Sequence, residues 1–167
     1  MWRQSRLALC LIAASLPLLS SATVAEDRRS IIPKDVETEL IRFEPTKETP
    51  RGFLAKYPEG DFVKLFQAAG DARVSFAHKD LNGDGNPEII TLLAGPVTCG
   101  ARDCEVVILK PEGKSHRTIF DGYASSVALG AKAKDGWRDV ITNLTTNSDN
   151  VKSGVVWTWT GERYEIK

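Results

Sequence analysis

The chain has 167 residues and sets 22 lysines and arginines against 22 aspartates and glutamates, so its formal net charge is zero. It has no long basic block and no basic-aromatic stripe, which disfavours sequence-independent binding to nucleic acid or to an anionic membrane. The length suits one domain with a real core.

Residues 1–25 read as an export signal. Arg3 and Arg6 make a short basic start, Leu7 to Leu19 form an apolar run, and Thr23-Val24-Ala25 offers a cleavage site after Ala25. The run is shorter than the ~20 residues that cross a bilayer as a helix. Cys10 lies inside it, in Leu7-Ala8-Leu9-Cys10, with Leu where lipid attachment calls for Gly or Ala. It is therefore read as part of the leader. Loss of Arg3 and Arg6 leaves 20 basic residues against 22 acidic ones. The expected product is periplasmic or secreted, with no membrane span in the mature chain.

Glu26 to Pro58 is polar and broken by Pro33, Pro45, Pro50 and Pro58, leaving room for one short helix over Lys34 to Phe43. Asp61 is placed to cap a helix over Phe62 to Ala69, with Gly70 to end it. Phe62, Leu65, Phe66 and Ala69 share one face of that helix and would cover a sheet.

From Arg73 the texture changes to short apolar stretches divided by turn residues. Strands are expected over Val74 to His78, Glu88 to Leu93, Cys104 to Leu109, Ser115 to Phe120, Val127 to Leu129, Asp139 to Leu144, Val155 to Trp159 and Tyr164 to Ile166. Pro111-Glu112-Gly113-Lys114 and Thr160-Gly161-Glu162-Arg163 read as turns. At an offset of 51 residues, Asp84-Gly85 through Thr91 aligns with Asp135-Gly136 through Thr142. The expected fold is α+β and mostly β: a proline-broken segment over 26–60, then a β-rich domain over 61–167. Within that domain a short helix precedes two antiparallel four-stranded meander units, 73–122 and 123–167.

Without Cys10, only Cys99 and Cys104 remain, and an even number in an exported chain points to a disulfide. Zinc would need two further ligands, and His78 and His116 are the only histidines. Four intervening residues also do not make the Cys-x-x-Cys of thiol oxidoreductases.

Asp80-Leu81-Asn82-Gly83-Asp84-Gly85-Asn86-Pro87-Glu88 carries the most specific signal. Calcium takes six to eight oxygens at ~2.3–2.6 Å. Asp80, Asn82 and Asp84 at alternate positions would converge on an ion as the backbone curls. Gly85 permits the sharp turn, Asn86 offers its carbonyl, and Glu88 coordinates directly or through water. The twelfth position, bidentate Glu in an EF-hand, is Thr91, and Ile89 to Leu93 reads as strand rather than helix. The loop resembles the Asp-x-Asp-x-Asp-Gly-x-x-Asp/Glu loops of FG-GAP repeats in β-propellers and in bacterial exported proteins. The resemblance covers Asp80 to Leu93 and implies a calcium loop between adjacent strands. A propeller needs more blades than this chain holds. In the second unit Ala131 and Ala133 replace Asp80 and Asn82, so that turn is expected to bind no metal.

Catalytic signatures are missing: the chain has no Gly-x-Ser-x-Gly, no His-Glu-x-x-His and no glycine-rich phosphate loop. His78 alternates with Val74 and Phe76 and is expected to face inward or border the acidic loop. Trp157 and Trp159 share a strand face and would pair with Ile166 and Tyr164 across the turn. Trp137 is the aromatic expected to be exposed. With Arg102 and Asp103 on the cysteine-braced loop, it is a candidate for partner contact. The reading is an exported calcium-binding protein that acts by binding or inhibiting a protein or envelope polymer. The alternative is a calcium-dependent hydrolase of cell-envelope polymers that uses Glu88 or a nearby carboxylate.

Overall fold

A computed structural model describes residues 29–132 and 135–167. The expected leader and Ala133 lie outside the described residues. Among the described residues the protein is mostly β, with two antiparallel sheets and two short helices. Among the described residues, no helix is long and apolar enough to cross a membrane.

Three strands come from the N-terminal segment: β1 (Ser30–Ile32), β2 (Glu39–Leu40) and β3 (Glu44–Glu48). Helices α1 (Pro50–Lys56) and α2 (Val63–Ala68) follow. The remaining strands are β4 (Arg73–Lys79), β5 (Glu88–Ala94), β6 (Cys104–Glu112), β7 (Ser115–Ala124), β8 (Val127–Lys132), β9 (Arg138–Thr146), β10 (Lys152–Trp159) and β11 (Tyr164–Ile166). One sheet runs β3-β4-β5-β6-β7; the other runs β1-β10-β9-β8-β2, with β11 also paired to β10. From β4 onward each strand within a sheet pairs with the one before it, as short antiparallel connections favour.

The proline-broken segment is woven into both sheets. β1 and β11 share one edge of β10, β2 borders β8, and β3 borders β4. Lys34 to Phe43 is a turn followed by strand, not the expected helix. Its apolar residues serve different layers: Ile41 is buried between the sheets, Val36 packs on the outer face of the second sheet, and Leu40 is exposed. No single helical stripe could satisfy all three.

Helix α1 forms where prolines discouraged one. Pro50 occupies the first turn, where its missing N–H costs nothing, and the Thr49 side chain accepts from the Gly52 amide at 3.1 Å. Helix α2 begins without a side-chain cap. Asp61 does not cap it; its carboxylate instead accepts from the Thr118 amide at 2.9 Å and from the Thr118 hydroxyl at 2.6 Å. A charge-assisted pair to β7 thus outcompetes the local cap.

The layers are helices, first sheet, second sheet. Strand alternation assigns the two faces of the first sheet. Val74, Ile89, Leu93, Val107 and Leu109 meet Phe53, Phe62 and Phe66 of the helical layer. Ile90, Val106, Ile108 and Phe120 face the second sheet, where they pack with Leu129, Val140, Trp159 and Tyr164. Central β5 is buried on both faces, which is why it reads as a near-continuous apolar run. Phe53 is fully buried and stacks on Phe66 at 4.9 Å. Phe53→Ala is expected to cost ~3–5 kcal/mol and to expose the helix-facing side of β4, as read by denaturant unfolding. A cost under ~1 kcal/mol would show that the helical layer is not part of the core.

Candidate metal centre

The loop from Asp80 to Pro87 joins β4 to β5 at one end of the first sheet. Its alternate residues point opposite ways. Leu81 is fully buried and plugs the core between the sheets, while Asp80 and Asp84 stay exposed. The curl is closed by side-chain oxygens taking backbone amides. Asp80 accepts from the Gly83 amide at 2.6 Å and from the Gly85 amide at 3.0 Å; Asn82 accepts from the Asp84 amide at 2.9 Å. Asp84 accepts from the Asn86 amide at 2.7 Å and from the Asn82 side-chain amide at 2.8 Å. These bonds, the Asn86 amide first, hold the Asp84 carboxyl below its usual range. Gly85 has φ of 85°, a left-handed conformation that few side chains accept.

Glu88 differs from the other oxygen donors. It is 1% exposed, and one carboxylate oxygen accepts the Leu81 amide at 2.8 Å. The other, Oε1, is buried and has no hydrogen-bond partner. Burial pushes the Glu88 carboxyl up, and the nearby charges of Asp84 and Asp80 add to that rise. A buried carboxylate oxygen with nothing to accept is costly unless something cationic or protic meets it.

The loop is also fastened to the second sheet. The Leu81 carbonyl accepts the Arg138 amide at 2.8 Å, and Tyr164 Oη donates to the Arg138 carbonyl at 2.8 Å. Arg138 Nη1 and Lys79 Nζ share the Glu39 carboxylate at 2.6 and 2.5 Å, linking β9 and the end of β4 to β2. Those two donors, Lys79 first, hold Glu39 below the usual carboxylate range.

Among the described residues, no three histidine, cysteine, aspartate or glutamate side chains gather closely enough to hold a metal ion. Asp80 and Asp84 are turned onto amides, and Asn82, with the carbonyl of Asn86, belongs to neither charged class. The donor set consists of hard oxygens only, which fits calcium and not zinc or copper.

Trp137 is not exposed, contrary to the sequence expectation. It is 8% exposed, stacked on Trp159 at 4.0 Å and met edge-on by Tyr164 at 6.1 Å. The core beneath the loop needs that ring, so a partner cannot lie on it as on a platform. Of the two places expected for His78, facing inward or bordering the acidic loop, the structure gives the second: it is exposed, two residues before Asp80, with its ring edge-on to Phe76 at 5.5 Å. Trp157 and Trp159 do pair with Ile166 and Tyr164.

Cys99 and Cys104 form a disulfide. Their loop follows β5, whereas the acidic loop precedes it, so Arg102 and Asp103 lie at the opposite end of that strand from Glu88. Arg102 is exposed and Asp103 half-buried. Sequence reasoning missed Leu81, Lys132, whose Nζ would lie 2.9 Å from a Cβ built on Gly83, and Lys110, whose Nζ lies over the Trp137 ring at 5.6 Å. A leucine between two oxygen donors was a readable sign of an inward plug. The lysines come from distant strands and left no local sign.

Comparison with protein-family models, curated proteins and solved structures returned no match.

The raised Glu88 carboxyl has a pH consequence. Its folded-state value lies above the unfolded one, so the folded state binds the extra proton in the window between them. In EDTA, acidification from neutrality through that window is expected to stabilise the parent relative to Glu88→Gln, as read by denaturant midpoints. Parallel pH profiles would contradict the burial of this carboxyl. Replacing both cysteines by alanine is expected to cost ~2 kcal/mol for so short a loop, with no change at the acidic loop in its amide NMR signals.

Proposed function

We propose that the chain is an exported, periplasmic or secreted calcium-binding protein that acts by binding or inhibiting a partner rather than by catalysis. One observation carries the calcium reading: the buried, unpartnered Oε1 of Glu88, next in the chain to a turn that carries the oxygens of exposed Asp80 and Asp84 and half-buried Asn82. A dication there gives that oxygen a partner and relieves the mutual repulsion of three carboxylates. Asp80 and Asp84 then exchange amide partners for the metal, with the Asn86 carbonyl as a further donor. The FG-GAP-like wording of Asp80 to Leu93 supports the same assignment.

The internal repeat is supported by matching turns. Gly85 and Gly136 have φ of 85° and 89°, and Asp135 accepts the Trp137 amide at 3.3 Å as Asp84 accepts that of Asn86. We read β4 to β7 and β8 to β11 as two four-stranded meander units, packed face to face like neighbouring propeller blades. Only the first retains the oxygen donors.

Export is supported by the leader-like residues 1–25 and by the disulfide, which persists in oxidising compartments. The 1% exposure of Glu88 supports a ligand role for it over direct attack on a polymer by that carboxylate.

Calcium at ten times its Kd is expected to stabilise the parent by ~1.4 kcal/mol, a rise in Tm of roughly 3–6 °C, with magnesium giving less. Asp84→Asn keeps an acceptor for the Asn86 amide and removes the charge, so it should keep the turn and lose most of the calcium shift. Equal shifts in variant and parent, measured by calorimetry, would reject Asp84 as a ligand.

A further inference from the structure

The first sheet ends in β3 on one side and in β7 on the other, and the two edges differ. β3 carries Pro45 and meets β4 through an irregular register, both of which guard an edge against further strands. In the second sheet β2 is only two residues long, and β1 and β11 divide the opposite edge between them. β7 has ten residues and no such guard along its second half. Its first half is covered: the Glu59 carbonyl accepts the His116 amide at 3.2 Å, and Asp61 takes the Thr118 amide. From Ile119 to Ala124, no strand among the described residues pairs with its outer side.

Two carboxylates lie along that bare stretch. Glu105 stands opposite Tyr123 and Asp121 opposite Val107, so all four share the helix-facing side of the sheet. Glu105 is 7% exposed, and its carboxylate has no hydrogen-bond or ion-pair partner among the described residues. Burial pushes the Glu105 carboxyl up, and the charge of Asp121 adds to the rise. Asp121 is an exposed residue, but loss of some of its water raises its carboxyl, a rise that Arg163 opposes and Asp61 adds to. Arg163 forms no salt bridge among the described residues, and Arg117, the cation on β7 itself, is held by Glu112 and by the Glu162 carbonyl. Tyr123, between the acids and the edge, is 55% exposed.

The other side of the stretch is apolar and low. Phe120 is buried, and its ring reaches over Gly122, where a Cβ would come within 3.0 Å of it. A cavity of about 200 Å³ reaches Ala124 from between the sheets, lined also by Leu40, Phe43, Leu92 and Val106.

We propose that the edge of β7 from Ile119 to Ala124 receives an extended segment of a partner protein in which basic and apolar residues alternate. A strand added there lies ~4.8 Å from β7. Its basic side chains, on the helix-facing side, meet Asp121 directly and Glu105 at the reach of a lysine or arginine stem, with Tyr123 along that stem. Its apolar side chains, on the other side, cover Gly122 and enter the cavity at Ala124. A second copy of this chain does not fit, because two-fold pairing of the stretch sets Asp121 alongside its own copy. The surface lies at the opposite end of β5 from Glu88 and needs no ion, so it is independent of the calcium reading.

The test is an amide NMR titration of the protein in EDTA with three capped octapeptides: alternating Lys–Val, alternating Glu–Val, and alternating Lys–Pro. The last keeps the charge and cannot pair as a strand. Saturable shifts concentrated at Glu105 and from Ile119 to Ala124, produced by Lys–Val alone, are the expected result. Asp121→Lys is expected to weaken that binding roughly tenfold or more, since attraction becomes repulsion. Tyr123→Ser should weaken it as well, and Ile31→Ser, at an exposed position of the second sheet, should leave it unchanged. Three outcomes would overturn the proposal. Equal shifts with Lys–Pro would reduce the effect to bulk charge attraction. No shifts with Lys–Val would make the two acids guards of a closed edge. Concentration-dependent broadening of the stretch without peptide would give the edge to a second copy.

Discussion

The structure turns on a short chain of contacts around one buried carboxylate. Glu88 receives the Leu81 amide, and the Leu81 carbonyl receives the Arg138 amide. Between those bonds the Leu81 side chain fills the core shared by the two sheets. A loop that would otherwise hang from the end of β4 is thereby made part of the join between the sheets. The same arrangement leaves Glu88 Oε1 buried with nothing to accept. Such a group is expensive in a neutral interior, and the cost falls only when a proton or a cation is supplied.

Two routes lower that cost, and they differ in what they make of the surface. Protonation leaves an acidic turn closed on its own amides. A dication, in the function proposed above, would instead require Glu88 ionised and would draw Asp80 and Asp84 off their amide partners. The disulfide loop, at the far end of β5, is independent of this device.

Periodicity and turn chemistry made much of the β architecture legible. Strand positions from Val74 to Ile166 followed from short apolar stretches divided by turn residues, and Gly70 as a helix stop agrees with its left-handed φ of 59°. Long-range competition hid the rest. Asp61 was a sound cap by local rules, yet Thr118, 57 residues away, takes its carboxylate. Val36, Leu40 and Ile41 looked like one helical stretch because sequence alone cannot say that three layers divide them. Trp137 looked exposed beside a polar turn, and only the stack on Trp159 explains its burial. In the acidic loop the oxygen spacing was readable, whereas the orphaned oxygen, the Leu81 anchor and the two lysines exist only once the strands are assembled.

The most direct test of calcium at this join is residue-resolved amide NMR during a calcium titration. Saturable shifts concentrated at Leu81, Gly83, Gly85, Glu88 and, across the interface, Arg138, which magnesium does not reproduce, are the result this account requires. Shifts absent there, or scattered over the acidic surface without saturation, would contradict it and leave the loop a metal-free turn.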